Sequence, residues 1–499
     1  ELVLVNTLVS FYHKMSVKNI PETPPTGSEH TPIDIDNDDE QHSLARKWTD
    51  EFGFGKYQLK RLGLPALGCL TDGTEIMLAG LLNYSLTDEW GISKKDKSVL
   101  ASVVFVGMIV GSLTFGVLAD KFGRKPTYIA VSVLLFIVSF ATAFSVSFPW
   151  LVVGRTFTGV FMGGQLPLSV TMANEVTPSR CFAYTAGVLL TFFGVGSLYT
   201  AFIGYLTLRD LGFRYFLAIC SIPAFIQAII SVFYPETPRY VECKGEAKKM
   251  TALLNQMGVE NKASTIMLQQ LNRDCETFGE KIAQEQVLLA SKQKGLKKTL
   301  LFVHLLNREN LRISLIHGYC WFVASLNQYG LNLFLQVVFK TRGFDGGNIY
   351  VSTLISSSAM IPASMLTGPA IALFGHKRCF WASLSLTTVF AIAFGVSSSM
   401  PALRATSWLY QFFIQMFFVV MYIMTPICFK SDLRATAMGF CGGCTRVAGT
   451  ITPYIFTAMI GGQASHIVHP YILCAAANIV AIGLMFLAKD SDFHRFFQV

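Results

Sequence analysis

The chain has 499 residues, of which 52% are hydrophobic and 14% are charged. Soluble globular proteins carry about 25% charged residues, so this composition excludes a disordered chain, a fibrous chain and an ordinary soluble enzyme. The formal net charge is +9. No basic run alternates with aromatic residues outside the apolar segments, and we therefore expect no nucleic-acid partner. The composition is typical of a polytopic membrane protein.

The first 60 residues form a polar segment that is rich in proline, threonine and aspartate between Pro21 and Glu40. This composition cannot bury a core, and it predicts a largely disordered tail over residues 1–60. Six apolar segments follow, each long enough to cross a bilayer as a helix. They are Leu62–Leu86, Val99–Ala119, Thr127–Phe148, Trp150–Ala173, Cys181–Leu208 and Tyr215–Tyr234.

A long polar segment separates this set from six further apolar segments. The second set is Ile313–Phe339, Asn348–Gly375, Cys379–Leu403, Ala405–Phe429, Ala435–Gln463 and Val468–Ala488. Within the polar segment, Met250–Met257 and Ile266–Leu271 have helical spacing. That spacing is compatible with short amphipathic helices on the cytoplasmic face and, equally, with a solvated linker that contains some helix.

These segments predict an all-α polytopic membrane protein with twelve transmembrane helices in two pseudo-symmetric six-helix bundles. We place the bundles at 61–234 and 312–488, a cytoplasmic linker at 235–311 and a short cytoplasmic tail at 489–499. Basic residues are concentrated in alternate loops, which identifies those loops as cytoplasmic. They include Lys121, Arg124, Lys125, Arg180, Lys377, Arg378, Lys430 and Arg434. Both termini are therefore expected in the cytoplasm. We expect the protein to lie in the plasma membrane or in the membrane of an intracellular vesicle.

The two predicted bundles contain the same turn. Gly116–Lys125 follows the second apolar segment and Gly368–Lys377 follows the eighth, with an offset of 252 residues. Arg180 and Arg434, after the fourth and tenth segments, are offset by 254 residues. Two independent loops with nearly one offset indicate a duplicated six-helix unit. Repeats of this kind enclose a substrate site at their interface, near the bilayer midplane.

The first copy of this turn carries an acid and several bases. Its glycines, Gly116 and Gly123, allow helix ends to approach closely, and Asp120 can pair with a base or with a helix N-terminus. We expect such contacts, with Arg124 and Lys125, to hold one face of the protein closed and to release during a conformational change. The alternative is a plain basic turn that only orients the chain.

This turn resembles the characteristic motif of the major facilitator superfamily, and the similarity extends from about residue 50 to the end of the chain. Other stretches resemble motifs of the same superfamily: Arg155–Gly159, Asn174–Arg180 and Pro235–Tyr240. The resemblance implies a further set of gating residues. These are Arg155, Glu175, Arg180, Glu236, Arg239 and Arg434.

The chain departs from the superfamily pattern in its second half. Ala372 replaces the acid of the repeated turn, and Ile427 replaces the usual acid before the next turn. Closure of the cytoplasmic side of the transporter should therefore depend mainly on Asp120 and Glu175. The glutamine pattern of sugar porters is largely absent from the seventh segment, which disfavours a hexose substrate.

Within the superfamily, the chain is similar to the synaptic vesicle glycoprotein-related branch, which is close to the organic cation and anion transporters. The similarity lies in Phe54–Gln58, Asp72–Met77, Tyr329–Leu331 and Thr445–Pro453. The vesicle glycoproteins carry a large luminal domain between their seventh and eighth helices. Only Lys340–Gly347 is available for it here, so the smaller related type fits better.

Four charged residues within the apolar segments need an explanation, because a charge at the bilayer centre costs about 2.5–3.5 kcal/mol and faces the bundle interior. Asp72 and Glu75 share one helix face. Helical rise places Glu75 and Arg155 each roughly 10 Å from the outer side, so these two can form a buried ion pair. Glu75 is thus either half of an ion pair or, with Asp72, a proton-coupling carboxylate. Arg446 lies near the midplane, where its guanidinium could bind a carboxylate or form a structural pair.

We expect Arg446, Gln328, Tyr329 and Asp72 to bind substrate, and Asp72 and Glu75 to couple transport to protons. The predicted function is a secondary active transporter that moves a small organic ion, favouring an anion or a zwitterion, by alternating access. The alternative is a non-transporting vesicle membrane protein that acts in binding or trafficking. We expect no enzyme activity, no cofactor and no metal site. The expected partners are the substrate, the lipid bilayer and protons, with the chain acting as a monomer.

Overall fold

The computed structural model describes residues 43–289, 308–344, 346–429, 433–460 and 466–487. The described residues fall into two compact units. Unit 1 is drawn from Glu1–Gly63, Ala173–Thr185 and Thr237–Lys294, and unit 2 from Leu64–Met172, Ala186–Glu236 and Gly295–Val499. Helices account for almost all regular structure in the described ranges, as the sequence predicted.

The helices are numbered in chain order. They are α1 (Leu44–Phe52), α2 (Lys56–Trp90), α3 (Lys94–Phe122), α4 (Arg124–Thr142), α5 (Phe148–Val176), α6 (Phe182–Thr207), α7 (Phe213–Cys220), α8 (Ile222–Phe233), α9 (Pro238–Cys243), α10 (Ala247–Glu260), α11 (Thr265–Leu289), α12 (Arg308–Thr341), α13 (Gly346–Ser358), α14 (Met360–Phe374), α15 (His376–Val396), α16 (Met400–Cys428), α17 (Arg434–Ile460) and α18 (Val468–Leu487). A short 3-10 helix, Ser179–Cys181, precedes α6.

Unit 1 has its own hydrophobic core. Trp48 and Phe52 of α1 belong to it together with Met250 and Leu254 of α10 and Leu271 of α11. Helices α10 and α11 coincide with the two stretches of helical spacing; Met250, Leu254 and Leu271 are buried in this core, whereas Ile266 is exposed. The predicted disordered tail is wrong for residues 43–60, because an ordered helix packs there through two aromatic side chains.

Unit 2 contains the apolar helices. Among the described residues, eight stretches are long and apolar enough to cross a membrane: Lys95–Phe122, Arg124–Thr142, Tyr184–Thr207, Phe213–Phe233, Gly347–Phe374, His376–Val396, Met400–Cys428 and Val468–Phe486. The remaining four long helices are α2, α5, α12 and α17, which have between 27 and 35 residues. They carry the buried charged and amide side chains that lower their apolar character. The twelve predicted spans are therefore all present as helices, two of them interrupted, between α7 and α8 and between α13 and α14.

The sequence repeat has a matching backbone conformation. Gly123 ends α3 with a φ of 118°, and Gly375 ends α14 with a φ of 80°. The amide of Gly123 donates to the carbonyl of Ala119, and that of Gly375 donates to the carbonyl of Ile371. Both glycines lie in the left-handed region that favours glycine, and each pair is related by the same offset of 252 residues. The duplication seen in the sequence thus extends to helix termination.

Candidate functional site

Asp72 lies in the interior of unit 2, near the middle of α2. It is fully buried, and neither carboxylate oxygen has a hydrogen-bond partner among the described residues. A buried ionised carboxylate without hydrogen bonds is costly. Asp72 therefore needs a proton, or a cation that approaches it, to be stable in this position.

Arg446 of α17 is an opposite charge that favours the ionised form of Asp72. Its guanidinium acts electrostatically on Asp72, as does the carboxylate of Glu75. One nitrogen, Nη1, donates to the carbonyl of Gly442 at 2.8 Å. Another, Nε, is buried without a partner among the described residues. Arg446 is only 8% exposed, and it keeps a donor available for a ligand.

The charges of Asp72 and Arg446 also act on two tyrosines, Tyr329 of α12 and Tyr422 of α16. The sequence predicted Tyr329 as a substrate contact, and that role stays a prediction; in the structure the ring of Tyr329 packs against Phe105. Tyr422 packs edge-on against Trp321 at a centroid distance of 4.7 Å.

The structure adds amide side chains that the sequence analysis left out. On α12, Gln328, Asn332 and Gln336 are spaced four residues apart, and each has at least one buried polar atom without a partner within the described ranges. On α16, both polar atoms of Gln411 are in the same situation. The sequence predicted Gln328 alone. The four-residue spacing on α12 was a usable signal, because it places all three amides on one helix face.

Glu75 and Arg155 form the buried ion pair that the sequence analysis gave as one of two interpretations. Nη1 of Arg155 donates to Oε2 of Glu75 at 2.5 Å, and both side chains are 1% exposed. Nη2 donates to the backbone carbonyl of Glu75 at 3.2 Å, and the Ser139 hydroxyl donates to Oε1. Arg155 is thus part of this buried pair, whereas the Asp72 carboxylate has no hydrogen-bond partner among the described residues.

The Gly116–Lys125 turn of unit 2 takes part in two sets of charged contacts. Nη1 of Arg124 lies 2.7 Å from Oδ1 of Asp120. The backbone amide of Lys125 donates to both carboxylate oxygens of Glu236, at 3.1 and 3.2 Å. The second contact places an acid at the N-terminus of α4, where the helix dipole favours it. The turn thus has two contacts, Asp120 with Arg124 and the Lys125 amide with Glu236. Gly116 is exposed.

The other predicted gating residues that the structure describes lie in unit 1. The Thr237 hydroxyl donates to Glu175 at 2.5 Å, at the start of α9. Arg180 is exposed beside Gly53. In Arg239, Nη1 is buried without a partner among the described residues. The side chain of Arg434 lies outside the described residues.

The two halves of unit 2 meet at the end of α2 that contains Trp90, which we call the Trp90 end. Ser98 of α3 donates to the carbonyl of Pro453 at 3.2 Å and to the Thr457 hydroxyl at 2.8 Å. One turn further along α3, Ser102 donates to the carbonyl of Thr450 at 2.8 Å. These bonds join α3 of the first half to α17 of the second.

The opposite end of these two helices is different. We call it the Lys125 end, after the turn that follows α3. A Cβ added at Gly116 of α3, or at Gly439 or Gly443 of α17, would have no described heavy atom within 4 Å. Contact between α3 and α17 is thus documented at the Trp90 end, and these three positions are open.

A helical membrane protein with a duplicated six-helix unit and buried charges near its centre defines a class, the secondary transporters with the major facilitator fold. A sequence profile of the sugar (and other) transporter family matches residues 43–489. The chain therefore belongs to the sugar (and other) transporter family. It is a multi-pass membrane transporter of small organic substrates and not an enzyme.

Individual relatives agree with this family. The chain is 24% identical over 439 residues to organic cation/carnitine transporter 7 of Arabidopsis thaliana, covering 82% of this chain and 87% of the relative. It is 24% identical over 455 residues to the synaptic vesicle 2-related protein of Pongo abelii, covering 86% and 78%. The predicted resemblance to this branch is confirmed.

A solved structure confirms the fold. The partially occluded, inward-open conformation of the xylose transporter XylE from E. coli superposes with a TM-score of 0.68 and 16% sequence identity. The match covers 87% of this chain and 98% of that chain. This likeness establishes the major facilitator fold.

Proposed function

We propose that this chain is a secondary active transporter for a small zwitterionic or anionic organic ion, and that Asp72 and Arg446 bind its charged groups. The observation that carries the proposal is the buried Asp72 carboxylate without a hydrogen-bond partner among the described residues, together with the Arg446 charge that acts on it. Two opposite charges with free hydrogen-bonding capacity match a ligand that carries an ammonium group and a carboxylate. One similar protein is named as an organic cation/carnitine transporter, and carnitine has that charge pattern.

Protons are the proposed coupling ion, with Asp72 as the group that gains and loses one. Glu75 is less suited to this task because Arg155 and Ser139 already satisfy its oxygens. When substrate is absent, a proton on Asp72 removes the cost of a buried unpaired charge. When a cationic group approaches, the carboxylate can ionise and pair with it. We further propose that the chain works as a monomer with both termini in the cytoplasm, in the plasma membrane or a vesicle membrane.

The test is uptake of labelled carnitine by the full chain in proteoliposomes, with and without a pH gradient. We expect Arg446→Ala to abolish uptake, since the substrate carboxylate loses its bidentate partner. Asp72→Asn should weaken carnitine binding, because the ammonium group loses its carboxylate, and it should abolish the response to the pH gradient. The matched control is Arg404→Ala, which removes an arginine of α16 that bonds only to Ser352 and Asn348 among the contacts described.

Wild-type uptake that is unchanged by Arg446→Ala would overturn the binding assignment. Folded wild-type protein that takes up neither carnitine nor other organic ions would favour the non-transporting vesicle protein. A pH response that survives Asp72→Asn but is lost in Glu75→Gln would move proton coupling to Glu75.

A further inference from the structure

We propose that Phe105 is the gate residue that closes the path from the Trp90 end to the Asp72–Arg446 site, by filling the space between Tyr329 and Gly449. Phe105 lies on α3, in the first half, and its side chain is buried. Its ring lies 4.5 Å from the ring of Tyr329 on α12, centroid to centroid. That distance is within the range of favourable aromatic pairs.

Gly449 forms the other wall of this space. A Cβ at Gly449 would lie 2.5 Å from Cδ1 and 2.7 Å from Cγ and Cε1 of Phe105. The ring therefore lies directly against the backbone of α17, and a side chain at position 449 would displace it. Glycine is required here by close approach and not by backbone conformation.

The position of this contact relative to the charged site follows from the helix directions. Gly449 is three residues beyond Arg446 on α17, towards the Trp90 end, which is about 4.5 Å along the helix axis. Residues three apart lie on one helix face. Tyr329, the other partner of Phe105, is within electrostatic reach of both Asp72 and Arg446. The Phe105 ring thus lies one helical turn from the charged site, on its Trp90 side.

The ring also belongs to a contact between the two halves. Ser98 and Ser102 lie further towards the Trp90 end of α3, and their hydroxyls bond to α17. When α3 and α17 separate at this end, those bonds break and Phe105 withdraws from Gly449 in the same movement. A gate on α3 is therefore open only when this end of the protein is open.

This inference rests on the proposed function only in that the Asp72–Arg446 site is where substrate binds, and its test needs no substrate. The probe is Gln328→Cys on α12, whose reaction with a membrane-impermeant methanethiosulfonate is followed by peptide mass spectrometry. Reagent is applied separately to each face of sealed membrane vesicles. Ser93 is exposed and lies three residues after Trp90. The face from which Ser93→Cys is modified is therefore the face that carries the Trp90 end.

We expect slow modification of Gln328→Cys from the Trp90 face when Phe105 is intact. Phe105→Ala in the same background should accelerate it about tenfold from that face, because access no longer requires opening. Phe105→Leu, which is less disruptive to folding, should give a smaller acceleration. The matched control is Phe115→Ala, which removes a buried phenylalanine ten residues further along the same helix, within a different cluster.

Unchanged modification rates in both Phe105 variants would overturn the proposal. Acceleration by Phe115→Ala equal to that by Phe105→Ala would also overturn it, since it would indicate general loosening of α3. If the wild type does not transport carnitine, the proposed substrate is wrong, but the labelling result for Phe105 is unaffected.

Discussion

The Glu75–Arg155 pair permits a sharp test, because it is completely buried and its two interpretations predict different results. Replacing Glu75 by methionine leaves the Arg155 guanidinium, 1% exposed, without its carboxylate. Breaking a buried pair in this way costs about 3–5 kcal/mol, since an uncompensated charge stays in a low-dielectric interior. Arg155→Met should cost a similar amount, reduced by the Ser139 hydroxyl that still bonds to Glu75.

The double variant Glu75→Met/Arg155→Met removes both charges and replaces them by apolar side chains of broadly similar volume. We expect its stability to return to within about 1 kcal/mol of the wild type, because a hydrophobic replacement of a buried pair is often neutral or stabilising. The free energy of unfolding is measured for all four proteins in mixed lipid–detergent micelles. The resulting double-mutant cycle should give a coupling energy of at least about 3 kcal/mol.

Transport by the same proteins separates the two interpretations of Glu75. A structural pair predicts that the double variant still takes up carnitine and still responds to a pH gradient. Additive losses of stability in the double variant would refute the reasoning about charge compensation. A stable double variant without a pH response would show that Glu75 carries the coupled proton.

Two predictions concern unit 1. The Glu242 carboxylate accepts hydrogen bonds from the backbone amides of Leu44, at 2.6 Å, and Ala45, at 3.3 Å. Glu242→Ala should therefore destabilise α1 by about 0.5–2 kcal/mol, seen as faster tryptic cleavage at Lys47 than in the wild type. Burial raises the pKa of the Cys275 thiol, so its alkylation should be slow at pH 7.5 and accelerate as the pH rises and the thiolate forms. Trp48→Ala should expose Cys275 and make its alkylation fast at pH 7.5. The exposed Cys243 should react quickly in both proteins and serves as the reference. Slow alkylation of Cys275 in Trp48→Ala would contradict the packing of Cys275 in the core of unit 1.

Much of the fold could be predicted from the sequence because long apolar segments are required by the bilayer itself. The duplicated turn predicted the repeat, and the left-handed glycines Gly123 and Gly375 confirm it. The Glu75–Arg155 contact could be anticipated because helical rise alone fixes depth in the membrane, and two opposite charges at equal depth have few other partners.

Other features could not be predicted, for physical reasons that differ. Helix α1 is short, and its burial depends on Trp48 meeting Met250 and Leu254, about 200 positions away in the chain. Composition alone therefore places it in a tail. Asn332 and Gln411 have buried amide atoms without a hydrogen-bond partner among the described residues. The sequence cannot show whether an amide in an apolar segment has such a partner. Only the positions of neighbouring helices distinguish the two.

The halves are duplicated in architecture but not in charge. The offset of 252 residues relates Asp72 to Ala324 and Glu75 to Asn327, and Asn327 bonds to Asn478 at 2.8 Å and to the Tyr410 hydroxyl at 2.9 Å in place of an ion pair.

Asp72 is thus on the first half, and Arg446 is on the second. A ligand with one charge of each sign has to contact both halves to satisfy its groups. Such a ligand stabilises states in which the halves approach around it, and it has no equivalent effect on states in which only one half reaches it. The unequal distribution of charge over a symmetric frame would therefore link binding to the movement that transport requires, and it supports the proposal of a zwitterionic substrate over a simple anion.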